Sequence, residues 1–323
     1  MIAELSQLSE VAEPTAFHRF LRALDDRRSL LRVYTQNIDA LEEKSGLTFG
    51  IPAEEIKGTS HRPSKGNAPA ASSEVATTDI CPQDDSTTSQ IPLPLKETPK
   101  CIPLHGTLRS MHCMTCGHSC PLRHYINSLV SGVPPPCPQC TALEQTRQLI
   151  GKRAHSIGKL RPSIVLYNED HKDGENVGKV VRKDLLGSSK GKSRTGADLL
   201  LVVGTSLRVP GTKRIVREFA KVVRSRHAAM DPSNLLADEP ALCTRGLMGP
   251  TSPPQPSTER YKEPPVQTIY LNLDFPTPTS QWEGVFDVWI RGDAQAFAGM
   301  VHEELEKEKL AKEVGHERKR KRE

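Results

Sequence analysis

Nowhere does the chain contain a run of about eighteen apolar residues, and its N-terminus has no basic stretch followed by an apolar core. The first absence excludes a membrane-spanning helix, and the second a secretory signal. The reading is a soluble, intracellular protein with no membrane partner. Aromatic residues are also scarce, and between Cys113 and Cys140 only Tyr125 occurs. Sequence-independent binding of single strands needs aromatics interleaved with basic residues, so a nucleic-acid-binding role for this stretch is not expected, nor is direct sequence-specific binding. A disulfide framework is lacking too: Cys81, Cys101, Cys120 and Cys243 are scattered, as in a reducing compartment.

The other four cysteines are regularly placed. Cys113 and Cys116 form one CxxC pair, and Cys137 and Cys140 form a second after twenty residues. Each CxxC turn aims two sulfurs at one point, and two such turns make a tetrahedral thiolate site that suits zinc. Four protein ligands leave no open position, so the metal is expected to hold a small module together and to do no chemistry. His112 and His118 flank the first pair and read as ribbon surface.

The rest of the chain alternates between patterned and unpatterned stretches. Residues 63–99 and 231–265 are rich in Pro, Ser, Thr and Asp and poor in large apolar residues, the composition of disordered inserts. Between them LLRVYTQNID, ADLLLVVGTSL and VQTIYLNLDFP are short apolar runs with polar C-terminal ends, which predicts buried parallel strands. After Gly211, residues Ile215, Val216, Phe219, Val222 and Val223 share one helical face, giving strand, loop and helix in succession. The expected fold is α/β, a Rossmann-like doubly wound parallel sheet carrying a smaller zinc-ribbon and helical module over about 106–150. A charged helix, EELEKEKLAKE, and the basic run 318–322 follow at 302–323, and the basic run resembles a nuclear localisation signal.

In open α/β sheets ligands sit beyond the carboxyl ends of the strands. Those ends deliver Gln36, Asn37 and Asp39 after the first run, Gly204, Thr205 and Ser206 after the second, and Asn272 after the third. Glycine permits close backbone approach and the hydroxyls can meet a phosphate or ribose, although Asp39 is also placed to cap the following helix. His105, next to Gly106, has the near-neutral basicity of a general base.

In this order TQNID, HG, the two CxxC pairs, RPSIVLYNED, GTS, LNLD and GDA resemble the sirtuin family, with RPSIVLYNED and LNLDFP most similar to its fungal nuclear, histone-acting branch. The resemblance spans about 1–301 apart from the inserts. It implies NAD-dependent removal of acetyl groups from protein lysines, with release of nicotinamide and O-acetyl-ADP-ribose, acetylated histones and chromatin as partners, and a nuclear location. It implies His105 as the base acting on the nicotinamide ribose, with Gln36, Asn37 and Asp39 positioning ribose and carboxamide, and Asn37 sharing in catalysis. Gly204, Thr205 and Ser206 would meet phosphate and ribose, Asn272 the adenosine ribose, and Asp293 with Ala294 the adenine. Val165 and the residues after it would pair with the acyl-lysine peptide. Leu166, Tyr167 and Asn168 replace the family's more usual Phe-Gly before Glu169. The family's first strand, its Gly-Ala-Gly-x-Ser loop and its Asp-Phe-Arg are absent, so a chain incomplete at its N-terminus, with impaired activity, is expected. A different class of reading is a non-catalytic zinc-containing chromatin adaptor that binds acetyl-lysine peptides.

Overall fold

Helix α1 (Ile2–Val11) opens the chain and α2 (Ala16–Asp26) follows, its start fixed by Thr15, whose hydroxyl and backbone N–H both meet His18 Nδ1. The structure is a computed structural model that describes residues 1–52, 98–187, 196–230 and 265–320. Apart from residues 98, 99 and 265, the inserts expected at 63–99 and 231–265 lie outside the described residues, as do Cys81, Cys243 and the last three residues.

The parallel strands form where short β-branched and aromatic runs were expected, in two hydrogen-bonded groups. Strand β1 (Val33–Thr35), followed by the short helix α3 (Leu41–Lys44), pairs with β2 (Cys101–Pro103). Strands β6 (Leu200–Val203), β7 (Thr268–Asn272) and β8 (Val288–Arg291) pair in that order. Both groups have helices packed on them. Helix α6 (Gly174–Leu186) places Val177 and Val180 against Ile102 of β2. Helix α7 (Pro210–Met230) begins two residues before the expected start, and buries Val216, Phe219 and Val223 of the predicted face. Val202, Val216, Tyr270 and Trp282 share one core.

An ion pair pins β1 to α6. Arg32 Nε and Nη2 donate to the two oxygens of Asp184 at 2.8 and 3.0 Å, and the Tyr34 hydroxyl donates to the same carboxylate at 2.6 Å. Arg32 and Asp184 are nearly fully buried, at 9% and 3% side-chain exposure. Burial and the neighbouring carboxylate together raise the Tyr34 phenol, keeping it a hydrogen-bond donor.

Between the two parallel groups the chain builds an antiparallel unit. Strand β3 (Gly106–Cys113) pairs with β4 (Ser119–Pro121) on one edge and with β5 (Leu160–Ile164) on the other. RPSIVLYNED thus supplies an antiparallel strand here, and does not extend the parallel sheet. Helices α4 (Ile126–Val130) and α5 (Pro138–Leu149) complete the unit, α5 carrying Pro at its first position where no N–H is needed. The last helix, α8 (Ala294–Arg320), continues through residue 301 without a break and packs on α2, with Phe297 edge-on to Phe20.

Candidate active site and metal centre

The C-terminal ends of the parallel strands come together through one side chain. Gln36, just past β1, accepts the Thr205 hydroxyl on Oε1 at 2.7 Å and donates from Nε2 to Thr212 Oγ1 at 2.9 Å. Its amide therefore links β1, the loop after β6 and the first turn of α7. That loop turns sharply, with Gly204 at φ +61° and buried Leu207 at φ +54°. On the far side the Tyr270 hydroxyl donates to the Thr205 carbonyl at 2.7 Å, and Asn272 Nδ2 donates to the Tyr270 oxygen at 2.8 Å.

His105 joins this edge from the step between β2 and β3. Its Nδ1 lies 3.1 Å from the Gln36 carbonyl. A carbonyl can only accept, so in the neutral ring the proton sits on Nδ1 and Nε2 keeps its lone pair. That is the tautomer a general base requires. The Val165 N–H donates to the His105 carbonyl at 3.0 Å and fixes the backbone from the other side.

Asn37 N–H meets Thr35 Oγ1, and Asp39 Oδ1 accepts the Leu41 N–H at 3.1 Å. Asp39 thus fills part of the capping role open to it. Asp293 Oδ1 accepts the N–H groups of Gln295 and Ala296 and caps α8 just after β8, with Ala294 opening the helix. Gln36, Thr205, Asn272 and His105 are joined by contacts, while Asp293 and Ala294 follow the neighbouring strand end. Thr212 and the Tyr270 hydroxyl were not legible in the sequence, because their partners lie 176 and 65 residues away.

The four predicted cysteines converge. Their sulfurs lie within 4.8 Å of one another, with Cys113–Cys140 at 3.8 Å and Cys116–Cys137 at 3.6 Å. Tetrahedral Zn–S bonds of about 2.3 Å imply sulfur separations of about 3.8 Å, so the set suits zinc. Cys137 immediately precedes α5 and Cys140 lies in its first turn, where the positive end of the helix favours thiolate. At Cys113 burial acts to raise the thiol, but backbone N–H groups of Cys116 and Thr115 outweigh it and bring the value down to about 6. Burial pushes Cys137 up to about 12, so full thiolate charge across the set calls for a cation among them.

A cavity of about 660 Å³ lies beside β3 and β5, lined by Phe49, Pro103, His112, Ile164 and His171 among others. Of the predicted residues Cys113 and Val165 line it, and none of the cofactor-site residues expected at the strand ends does. At its rim Arg161 grips Glu169 bidentately, at 2.5 and 2.8 Å, and Glu169 accepts the Leu166 N–H at 3.0 Å. This clamp holds the Leu166–Glu169 turn and leaves Tyr167 97% exposed. Arg161 holds the Glu169 carboxyl down at about 2.

Parallel strands with helices, polar strand ends meeting a base-competent histidine, and a four-cysteine centre define a Rossmann-like α/β protein with a zinc-type module. The Sir2 family model matches residues 2–62 and 96–211, and the chain belongs to the Sir2 family. It is 36% identical over 227 residues to the NAD-dependent protein deacetylase hst4 of Emericella nidulans, covering 70% of this chain and 30% of that one. The protein of the same name from Schizosaccharomyces pombe is 36% identical over 229 residues, 70% of this chain and 43% of that one. The NAD-dependent histone deacetylase HST4 of Saccharomyces cerevisiae is 30% identical over 249 residues, 73% of this chain and 54% of that one. The chain thus spans from under a third to about half the length of these relatives. Among solved structures "Sir2-p53 peptide-NAD+" is 16% identical and covers 93% of this chain and 72% of that one, with a TM-score of 0.49, too distant to add to the family match. Among the described residues no helix is long and apolar enough to cross a membrane.

Proposed function

We propose that this chain is the catalytic region of an NAD-dependent protein lysine deacetylase that acts on acetylated histones in the nucleus. In this reading residues 1–301 form the catalytic region, with the zinc module at about 106–150 inside it, and 302–323 a charged extension. The observation that carries it is the contact between His105 and Gln36, which leaves His105 Nε2 unprotonated at the edge where Gln36, Thr205 and Asn272 meet. The names of the Saccharomyces cerevisiae relatives, NAD-dependent histone deacetylases, support the substrate class, and a histone substrate fits a nuclear site of action.

NAD, when bound, supplies the ribose carbon from which nicotinamide leaves and to which the acetyl oxygen bonds. His105 Nε2 takes the proton of a ribose hydroxyl and so makes that oxygen nucleophilic. Asn37 and Asp39 position the ribose and the carboxamide, and Gln36 contacts the ribose. Thr205, Ser206 and the glycine backbone at 204 hold phosphate and ribose, and Asn272, Asp293 and Ala294 hold the adenosine end. The acetylated peptide lies along the turn that presents Leu166 and Tyr167. Val165 contributes through its side chain and position, since its N–H is taken by His105. The zinc module holds β3 and β5 together behind His105 and takes no part in the chemistry.

Nicotinamide release from NAD in the presence of an acetylated histone peptide tests the reading, with His105→Ala alongside. Release by the parent chain that falls by a factor on the order of a hundred or more in the variant supports it. Release unaffected by the variant, or acetyl-peptide binding with no turnover and no response to NAD, sinks it in favour of a non-catalytic binder.

A further inference from the structure

His171 takes no part in the chemistry above, yet it stands beside it. Its Nδ1 accepts the backbone N–H of Asp173 at 2.9 Å, which puts the proton of the neutral ring on Nε2. This is the opposite tautomer to that of His105. Nε2 is buried and finds no hydrogen-bond partner among the described residues. Burial is the largest influence keeping the ring neutral, aided by His105 and Lys172, while Asp173 and the nearby Pro103 carbonyl act in the other direction. A buried donor left unmet is destabilising, which favours a small movement that meets it.

The Pro103 carbonyl is the acceptor at hand, two residues before His105. The other sides of this step are already tied: Leu104 N–H to the Thr35 carbonyl at 2.8 Å, Val165 N–H to the His105 carbonyl at 3.0 Å, and His105 Nδ1 to Gln36. On the His171 side lies the cavity, whose wall the ring shares with Pro103 and Ile164. The ring is therefore the brace between that open volume and the strand end that carries His105.

We propose that His171 is a positioning residue for His105, closing its Nε2–H on the Pro103 carbonyl and so fixing the end of β2 from which His105 projects. The inference rests on His105 being the base. Two substitutions separate the work of the two ring nitrogens. H171N places an acceptor near the Nδ1 position and keeps the bond to Asp173, whereas H171Q places a donor near the Nε2 position. The first readout is the ring-nitrogen resonances of His105 in long-range ¹H–¹⁵N spectra of the full chain without NAD, which require no turnover. The expected result is a His105 signal near the parent's in H171Q and displaced in H171N. In turnover, H171N is expected to lower kcat roughly tenfold or more while KM for NAD stays near the parent's, with H171Q retaining most of kcat. Unchanged His105 resonances in both variants, or a silent H171N beside a disturbed H171Q, would make His171 a turn cap for Asp173 alone and overturn the proposal. Failure of the base assignment is read separately, from nicotinamide release that persists in H105A.

Discussion

Single atoms decide what the candidate site can do. The Gln36 carbonyl sets the His105 tautomer, and the Asp173 N–H sets the opposite one at His171. At the metal centre Gly158 matters as much as the ligands, because a Cβ there would fall onto Cys113 Sγ and the Thr115 side chain. Gly158→Ala is expected to lower zinc affinity by a factor of about ten to a hundred, measured by competition with a chromophoric chelator. Cys137→Ala removes one of four sulfurs, and stoichiometric zinc retained by that variant would refute the ligand assignment. The Arg161–Glu169 clamp carries a pH dependence of fixed sign. Glu169 titrates at about 2 in the fold against an ordinary value of 4.5, so its contribution is complete above 4.5 and is lost as pH falls toward 2. The protection factor of the Leu166 amide, its exchange rate corrected for the intrinsic rate at each pH, should hold steady above pH 5 and fall as pH drops from 4.5 toward 2.

At the scale of elements, short strands are held by side chains as much as by ladders. Strand β1 has three residues, and its register on α6 is fixed by the buried Arg32–Asp184–Tyr34 group. Asp184→Ala would strand a buried guanidinium, and a loss of about 3–5 kcal/mol in urea unfolding is expected. Asp184→Asn, which retains acceptor capacity, is expected to lose less. The step from β2 to β3 depends on Gly106, at φ +77° with the Ser163 carbonyl where a Cβ would stand. The short apolar runs and the α7 face were legible in sequence because burial imposes a period that survives in one dimension. RPSIVLYNED was legible as a strand but not in its direction, since its partner β3 is chosen by the zinc-type turn that folds the chain back.

Across the whole molecule, the described core falls into three separate clusters, one of them joining Ile102 to Val177 and Val180; the other two differ in their tie to the metal centre. Met111, Leu122 and Leu160 cluster with the metal-centre cysteines, while Val202, Val216, Tyr270 and Trp282 form another group. Removing the metal with a chelator should therefore release amide protection in β3, β4 and β5 while β6, β7 and β8 keep theirs, as read by hydrogen exchange. Simultaneous loss everywhere would show that the two cores unfold as one. The second and last helices are joined by Phe20 and the half-buried Phe297, and truncation of Phe297 to Ala is expected to cost about 1–3 kcal/mol.

Sequence alone determined the metal-ligand set, because a CxxC pair is a local geometry that spacing encodes. It also determined which residues stand at strand ends, because a buried strand must turn polar where it leaves the core. Tertiary structure decided what those residues do there. The tautomer of His105, the Gln36 bridge to Thr205 and Thr212, and the brace offered by His171 each depend on groups from distant parts of the chain. Hydrogen-bond partners are fixed by where the strands and helices pack, and no local pattern records that choice.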